Sequence, residues 1–299
     1  MREVISSEER FADVNGITLC YQTFGNPNDR PLLLIMGLAT QMIHWDPRFC
    51  QKLVDQGYWV IRFDNRDIGR STILQNQKKP TLFSVAANQL FGKKLHVPYN
   101  LHTMAGDAVA LLDHLKVDRC HLVGVSMGGM IAQCIAIDYP NRVASLTSIM
   151  STTGNRRLPK PKKSVMFSIL QPPPKEPKAY LRYSVRLWKM LHGKHYQFDQ
   201  AKIAALLQHA RERSFNPDGV WRQTCAILAS PDRTQALHKI RLPSLVIHGD
   251  NDPLVPVECG IATAAAINNC ELLIIKGMGH TLPEEAWEQI IDSIVKLAD

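Results

Sequence analysis

A chain of 299 residues with 45% hydrophobic and 21% charged residues is large enough for one α/β domain carrying an insertion, or for two small domains. Its longest apolar run, Leu32 to Met36, is far too short to span a bilayer, and Met1 to Arg10 lack an apolar signal core, so a cytoplasmic location is expected. The net charge of +8 is concentrated: from Arg156 to Lys202 twelve basic residues stand against Glu176 and Asp199, and no nucleic-acid-binding motif accompanies them. The seven cysteines are odd in number and scattered without metal-ligand spacing, which predicts reduced core thiols, no disulfide and no metal site.

Residues 9–24 read as two strands joined at Asn15-Gly16, a dipeptide suited to the left-handed positions of a hairpin turn. Pro31 to Met36 is a continuous apolar run, as a strand covered on both faces should be. The turn after it, Gly37-Leu38-Ala39, brings backbone amides to the end of that strand. Residues 45–56 predict a helix stopped by Gly57, and 58–64 the next strand. The polar segment Asp64 to Ser71 is expected to use its charges in salt bridges and caps within the loop. Residues 75–103, broken by Pro80, Gly92 and Pro98, carry no clear pattern, and 104–115 predict a helix.

Next comes a buried strand from Arg119 to Val125, the stretch Gly124-Val125-Ser126-Met127-Gly128-Gly129, and a helical run from Met130 to Tyr139. Gly-x-Ser-x-Gly between a strand and a helix is a nucleophile elbow, a turn so tight that it lifts the serine hydroxyl clear of the sheet edge. It also leaves the Met127 amide at a helix N-terminus, where negative charge is stabilised. An isolated match of this length is often only a glycine-rich turn; here the flanking strand and helix supply the context.

A strand over 143–150 follows, and then the alternation of strand and helix stops. Residues 151–231 contain Pro159, Pro161 and the run Pro172 to Pro174, with helical patterns over 180–191 and 202–213. They are expected to form a helical cap over the active-site end of the sheet, with 1–150 and 232–299 as the core. The alternation resumes with a strand over 244–248, a helix over 257–267, a strand over 272–275 and a final helix from about 283 to 297.

A serine hydroxyl needs an imidazole to take its proton and an acid to hold that imidazole. In a sheet of this type the order along the chain is serine, acid, histidine, and Ser126, Asp252 and His280 satisfy it. Of eleven histidines, His280 alone follows the last strand, in a Gly-Met-Gly-His turn. Asp252, held by Pro253, is better placed to reach it than Asp250, which can cap the turn. Backbone N–H groups of Met127 and Leu38 are the candidate oxyanion donors, the plainer reading of Leu38 being an ordinary strand-to-helix turn.

These segments, Met36-Gly37-Leu38, Gly124 to Gly129, Gly249 to Pro253 and Gly277 to His280, resemble the α/β-hydrolase superfamily over nearly the whole chain. Phe63 to Thr72, with Met36 before Gly37, looks like the branch of anthracycline methylesterases. The resemblance implies a mostly parallel eight-stranded sheet with helices on both faces and an inserted helical cap. It also implies cofactor-free hydrolysis of carboxylic esters through an acyl-enzyme. A thioesterase, a perhydrolase, a C–C bond hydrolase or a low-turnover binding protein on the same fold are the alternatives. The basic, aromatic-bearing cap is a candidate for peripheral contact with an anionic membrane or for admitting a small-molecule or lipid ester, against the plainer reading of a solvated surface.

Overall fold

The computed structural model describes residues 6–298 except Asn76, Lys78, Gly92, Pro172 and Pro173. Residues 1–5 of the Met1 to Arg10 segment, the Gly92 breaker and two residues of the Pro172 to Pro174 run therefore lie outside the described residues. The chain opens with strands β1 (Arg10–Val14) and β2 (Ile17–Phe24), and Asn15 and Gly16 between them take φ values of 50° and 74°. This is the left-handed pair that a two-residue hairpin requires.

Strand β3 (Arg30–Ile35), helix α1 (Pro47–Val54) and strand β4 (Tyr58–Phe63) follow, then α2 (Leu82–Phe91), α3 (Leu101–His114), β5 (Cys120–Val125), α4 (Met127–Asp138) and β6 (Val143–Ile149). Helices α5 (Lys163–Leu170), α6 (Pro177–His192), α7 (Gln200–Arg213) and α8 (Pro217–Ala229) form the insertion, and α9 (Thr234–Leu237) follows it before β7. The chain ends with β7 (Ser244–Gly249), α10 (Val257–Ala266), β8 (Cys270–Ile275) and α11 (Trp287–Ala298). The eight strands make one sheet in the order β1-β2-β4-β3-β5-β6-β7-β8. The β1/β2 and β2/β4 pairs are antiparallel and every other pair is parallel.

Burial explains the strand sequences. Leu32 to Ile35 in β3 and all of β4 are buried, because helices cover both sheet faces. On one face Leu33, Ile35 and Leu122 pack with Met104 and Leu111 of α3 and Ile131 and Ile135 of α4. On the other, Leu32, Leu34 and Val123 pack with Phe49 of α1 and Trp287 and Ile290 of α11. All seven cysteines are free thiols, six of them buried, and burial pushes Cys50 and Cys120 up to about 12.

Three helices start where an acceptor side chain precedes proline. Asp46 accepts from the amide of Arg48, Glu176 from those of Lys178 and Ala179, and Asn216 from that of Gly219, with Pro47, Pro177 and Pro217 opening α1, α6 and α8. One expectation is corrected in part. The Asp64 to Ser71 loop does cap itself, Asp64 accepting from the Arg70 amide at 3.0 Å, but its ion pairs reach out to other elements. Asp64 binds Arg213 of α7, Arg66 binds Asp107 of α3, and Asp67 binds Arg222 of α8. A sequence reading sees the loop's charges but not the partners that folding brings to it.

Candidate active site

Ser126 stands between β5 and α4 with φ 54° and ψ −119°, a conformation that costs of order 1–3 kcal/mol for a residue with a Cβ and persists only where its surroundings enforce it. Here the enforcement comes from close packing on both sides. The Ser126 amide donates to the carbonyl of Ile149 at 2.9 Å, and its own carbonyl accepts from Ser151 Oγ at 2.8 Å. A Cβ at Gly128 would overlap the carbonyl of Ile35, so only glycine lets α4 start this close to the end of β3.

The structure brings Ser126, His280 and Asp252 together across the sheet's carboxyl end. Nε2 of His280 lies 3.0 Å from Ser126 Oγ, and Nδ1 lies 2.6 Å from Asp252 Oδ2. The ionised carboxylate can only accept, so it takes the Nδ1–H and leaves the Nε2 lone pair facing the serine hydroxyl. The Asp252 side chain is fully buried and its Oδ1 accepts from the amides of Leu254 and Val255, both at 2.8 Å. Asp250, the alternative acid, instead accepts from the amide of Gly277 and ties the two turns together. A second imidazole, His248, lies 3.7 Å from Asp252 Oδ2. Burial pushes His248 below its ordinary value, against the opposing pull of Asp252 and of the Val255 carbonyl, to which its Nε2 donates at 2.8 Å.

The turn that follows β3 closes over the serine. A Cβ at Gly37 would come within 3.2 Å of Ser126 Cβ, which places this turn directly against the elbow. The Ala39 amide is committed to Gln223 Oε1 at 3.3 Å, which leaves Leu38 as the turn amide next to Gly37, alongside the first amide of α4, Met127. Three buried side chains hold the turn in place. Asn65 donates to the carbonyl of Met36 at 3.0 Å, Asp64 accepts from the amide of Met42 at 2.7 Å, and Gln223 also donates to the carbonyl of Arg66 at 2.8 Å. Sequence reasoning missed Gln223 entirely. The helix that carries it could have been found from the Asn216-Pro217 start signal, but nothing local marks the glutamine.

The insertion meets His280 from the other side. The His280 amide donates to the carbonyl of Leu191 in the last turn of α6, and Thr281 Oγ1 lies 2.9 Å from His192 Nδ1. A Cβ at Gly279 would collide with those same α6 residues. Inserted helices thus contact both the β3 turn, through α8, and the β8 turn, through α6.

Comparison with known proteins agrees with this architecture. The chain is 30% identical over 302 residues to rhodomycin D methylesterase DnrP of Streptomyces peucetius, covering 93% of this chain and 94% of that one. Among solved structures, esterase RhEst1 from Rhodococcus sp. ECU1013 superposes with a TM-score of 0.74 at 20% identity, covering 97% of this chain and 99% of that one. The enol-lactonase from Burkholderia xenovorans LB400 does so with a TM-score of 0.73 at 19% identity, covering 96% and 99%. A family model described as the alpha/beta hydrolase fold matches residues 30–286. The chain belongs to the alpha/beta hydrolase fold family.

Proposed function

We propose that this hydrolase cleaves carboxylic esters through an acyl-enzyme on Ser126. His280 Nε2 takes the hydroxyl proton as Oγ attacks the ester carbonyl carbon, and Asp252 stabilises the imidazolium that results. The amides of Met127 and Leu38 donate to the oxygen that becomes negative in the tetrahedral intermediate. His280 then returns its proton to the departing alkoxide, which leaves as the alcohol. Water, deprotonated by the same nitrogen, attacks the acyl group, and the free acid departs as Oγ regains its proton. Residues 151–231 act as the cap that shapes the pocket, with 1–150 and 232–299 as the hydrolytic core.

The observation that carries this reading is the continuous hydrogen-bonded path from Asp252 Oδ2 through both ring nitrogens of His280 to Ser126 Oγ. Full-length likeness to a methylesterase supports an ester rather than another acyl bond, and puts methyl esters into the test. Wild type, Ser126→Ala and Asp252→Asn are assayed on methyl esters and on p-nitrophenyl esters from acetyl to palmitoyl. Ser126→Ala should lose at least about a thousandfold in kcat, and Asp252→Asn a comparable amount through the wrong tautomer. Wild-type turnover that survives Ser126→Ala, or no turnover of any ester, would overturn the assignment.

A further inference from the structure

Helix α2 is built inside out. Its exposed side carries Leu82, Phe83, Ala86, Leu90 and Phe91, with Phe83 at 84% and Phe91 at 75% exposure, while among its described side chains the buried one is the polar Asn88 at 6%. This orientation is held by polar ties. Arg156 donates to both the side chain and the carbonyl of Asn88, Trp221 Nε1 donates to the carbonyl of Pro80 at 2.8 Å, and Lys79 pairs with Asp218. A solvent-facing helix normally points its apolar stripe inward. Here the fold fixes the apolar stripe outward.

A second apolar projection lies at the same end of the sheet. Helix α5 exposes Phe167 at 67% and Ile169 at 41%, and the Lys162 amide at its start donates to the carbonyl of Pro253, next to Asp252. Helix α2 packs on α8, whose Gln223 holds the turn beside Ser126. Basic groups rim both projections. Lys93 and Lys94 are exposed just beyond α2, Lys162 and Lys163 begin α5, and Arg182 and Arg186 line an open groove of about 330 Å³ with Tyr183, which hydrogen-bonds the α5 carbonyl of Ser168.

We propose that α2 and α5 form a docking surface for an anionic lipid bilayer, with the apolar side chains entering the headgroup boundary and the basic rim meeting lipid phosphates. Apolar insertion and attraction to anionic lipid are the two contributions that interfacial helices combine, and this surface carries both. A second copy of the chain would bring the same basic rim against itself, which charge disfavours. The expectation of a membrane-facing cap is thereby relocated: its apolar part includes α2, which precedes the insertion. Among the described residues no helix is long and apolar enough to cross a membrane, so contact would be peripheral. Docked this way, the loops around Ser126 face the bilayer, and the ester proposed above would be drawn from it. This last point rests on the proposed ester hydrolysis; docking does not.

Co-sedimentation of the full chain with phosphatidylcholine vesicles, with and without phosphatidylglycerol, tests it. The bound fraction should rise about tenfold on the anionic vesicles, and Phe83→Asp/Phe91→Asp should remove that gain while leaving p-nitrophenyl acetate hydrolysis and the melting temperature unchanged. Ser126→Ala should bind vesicles like wild type, so that a failure of docking and a failure of catalysis are told apart. Equal binding to neutral and anionic vesicles, or no binding to either, overturns the proposal. So does a dimer in solution that the double α2 variant abolishes.

Discussion

The His280 amide donates to the carbonyl of Leu191 at 2.6 Å, joining the turn that carries the imidazole to the last turn of α6. Carbonyls in the last turn of a helix have no partner within it, and here one of them is satisfied by the proposed base's own backbone. The neighbouring Thr281–His192 hydrogen bond reinforces the junction. Thr281→Val should therefore loosen the imidazole without unfolding the protein. Expected is a fall in kcat of about five- to twentyfold, KM within about twofold, and a melting temperature within a few degrees of wild type. Wild-type kcat in this variant would remove α6 from the positioning of His280.

Gln223 is the corresponding support on the other side of the serine. Its amide spans from the Ala39 N–H, in the turn that supplies Leu38, to the buried Arg66 carbonyl of the neighbouring loop. Replacing it by leucine keeps the volume and strands both groups. Gln223→Leu should lower kcat about ten- to a hundredfold through a misplaced oxyanion donor, and cost about 1–3 kcal/mol in stability. Steady-state kinetics together with denaturant unfolding separate the two effects. A loss confined to stability would leave the glutamine a purely structural role.

Acid should destabilise the fold through three histidines. Burial, with Arg213 and Arg62 nearby, holds His44 down to about 4, and burial also lowers His192 and His248. In the unfolded chain each titrates near its ordinary ~6.5. Because the folded values are depressed, the unfolded state binds protons first as pH drops. Stability is thus complete above ~6.5 and declines as pH falls toward about 4. Melting temperatures measured across that window should fall by several degrees, and a flat profile would contradict the assignment.

Much of this was legible in the sequence where local chemistry dictates structure. The hairpin at Asn15-Gly16, the apolar run of β3 and the Gly-x-Ser-x-Gly turn each announce their conformation, and Asp252 and His280 lie together beyond the strand ends, as their positions in the chain predict. What escaped depends on partners distant in sequence. Arg66, Asp67 and Asp64 look like a self-contained polar loop until α3, α7 and α8 supply Asp107, Arg222 and Arg213. Helix α2 escaped because its apolar residues face outward and its Asn88 inward, the reverse of the periodicity that marks a globular helix.

The placement of the insertion between β6 and β7 also sets an order of events during synthesis. A nascent chain that has emerged as far as α7 already carries the elbow, yet the strands that support Asp252 and His280 have still to be made. The proposed nucleophile is thus synthesised well before the acid and the base that would activate it. On the proposed mechanism its reactivity arrives only when β8 has paired alongside β7 and the turn after it has brought His280 to the elbow.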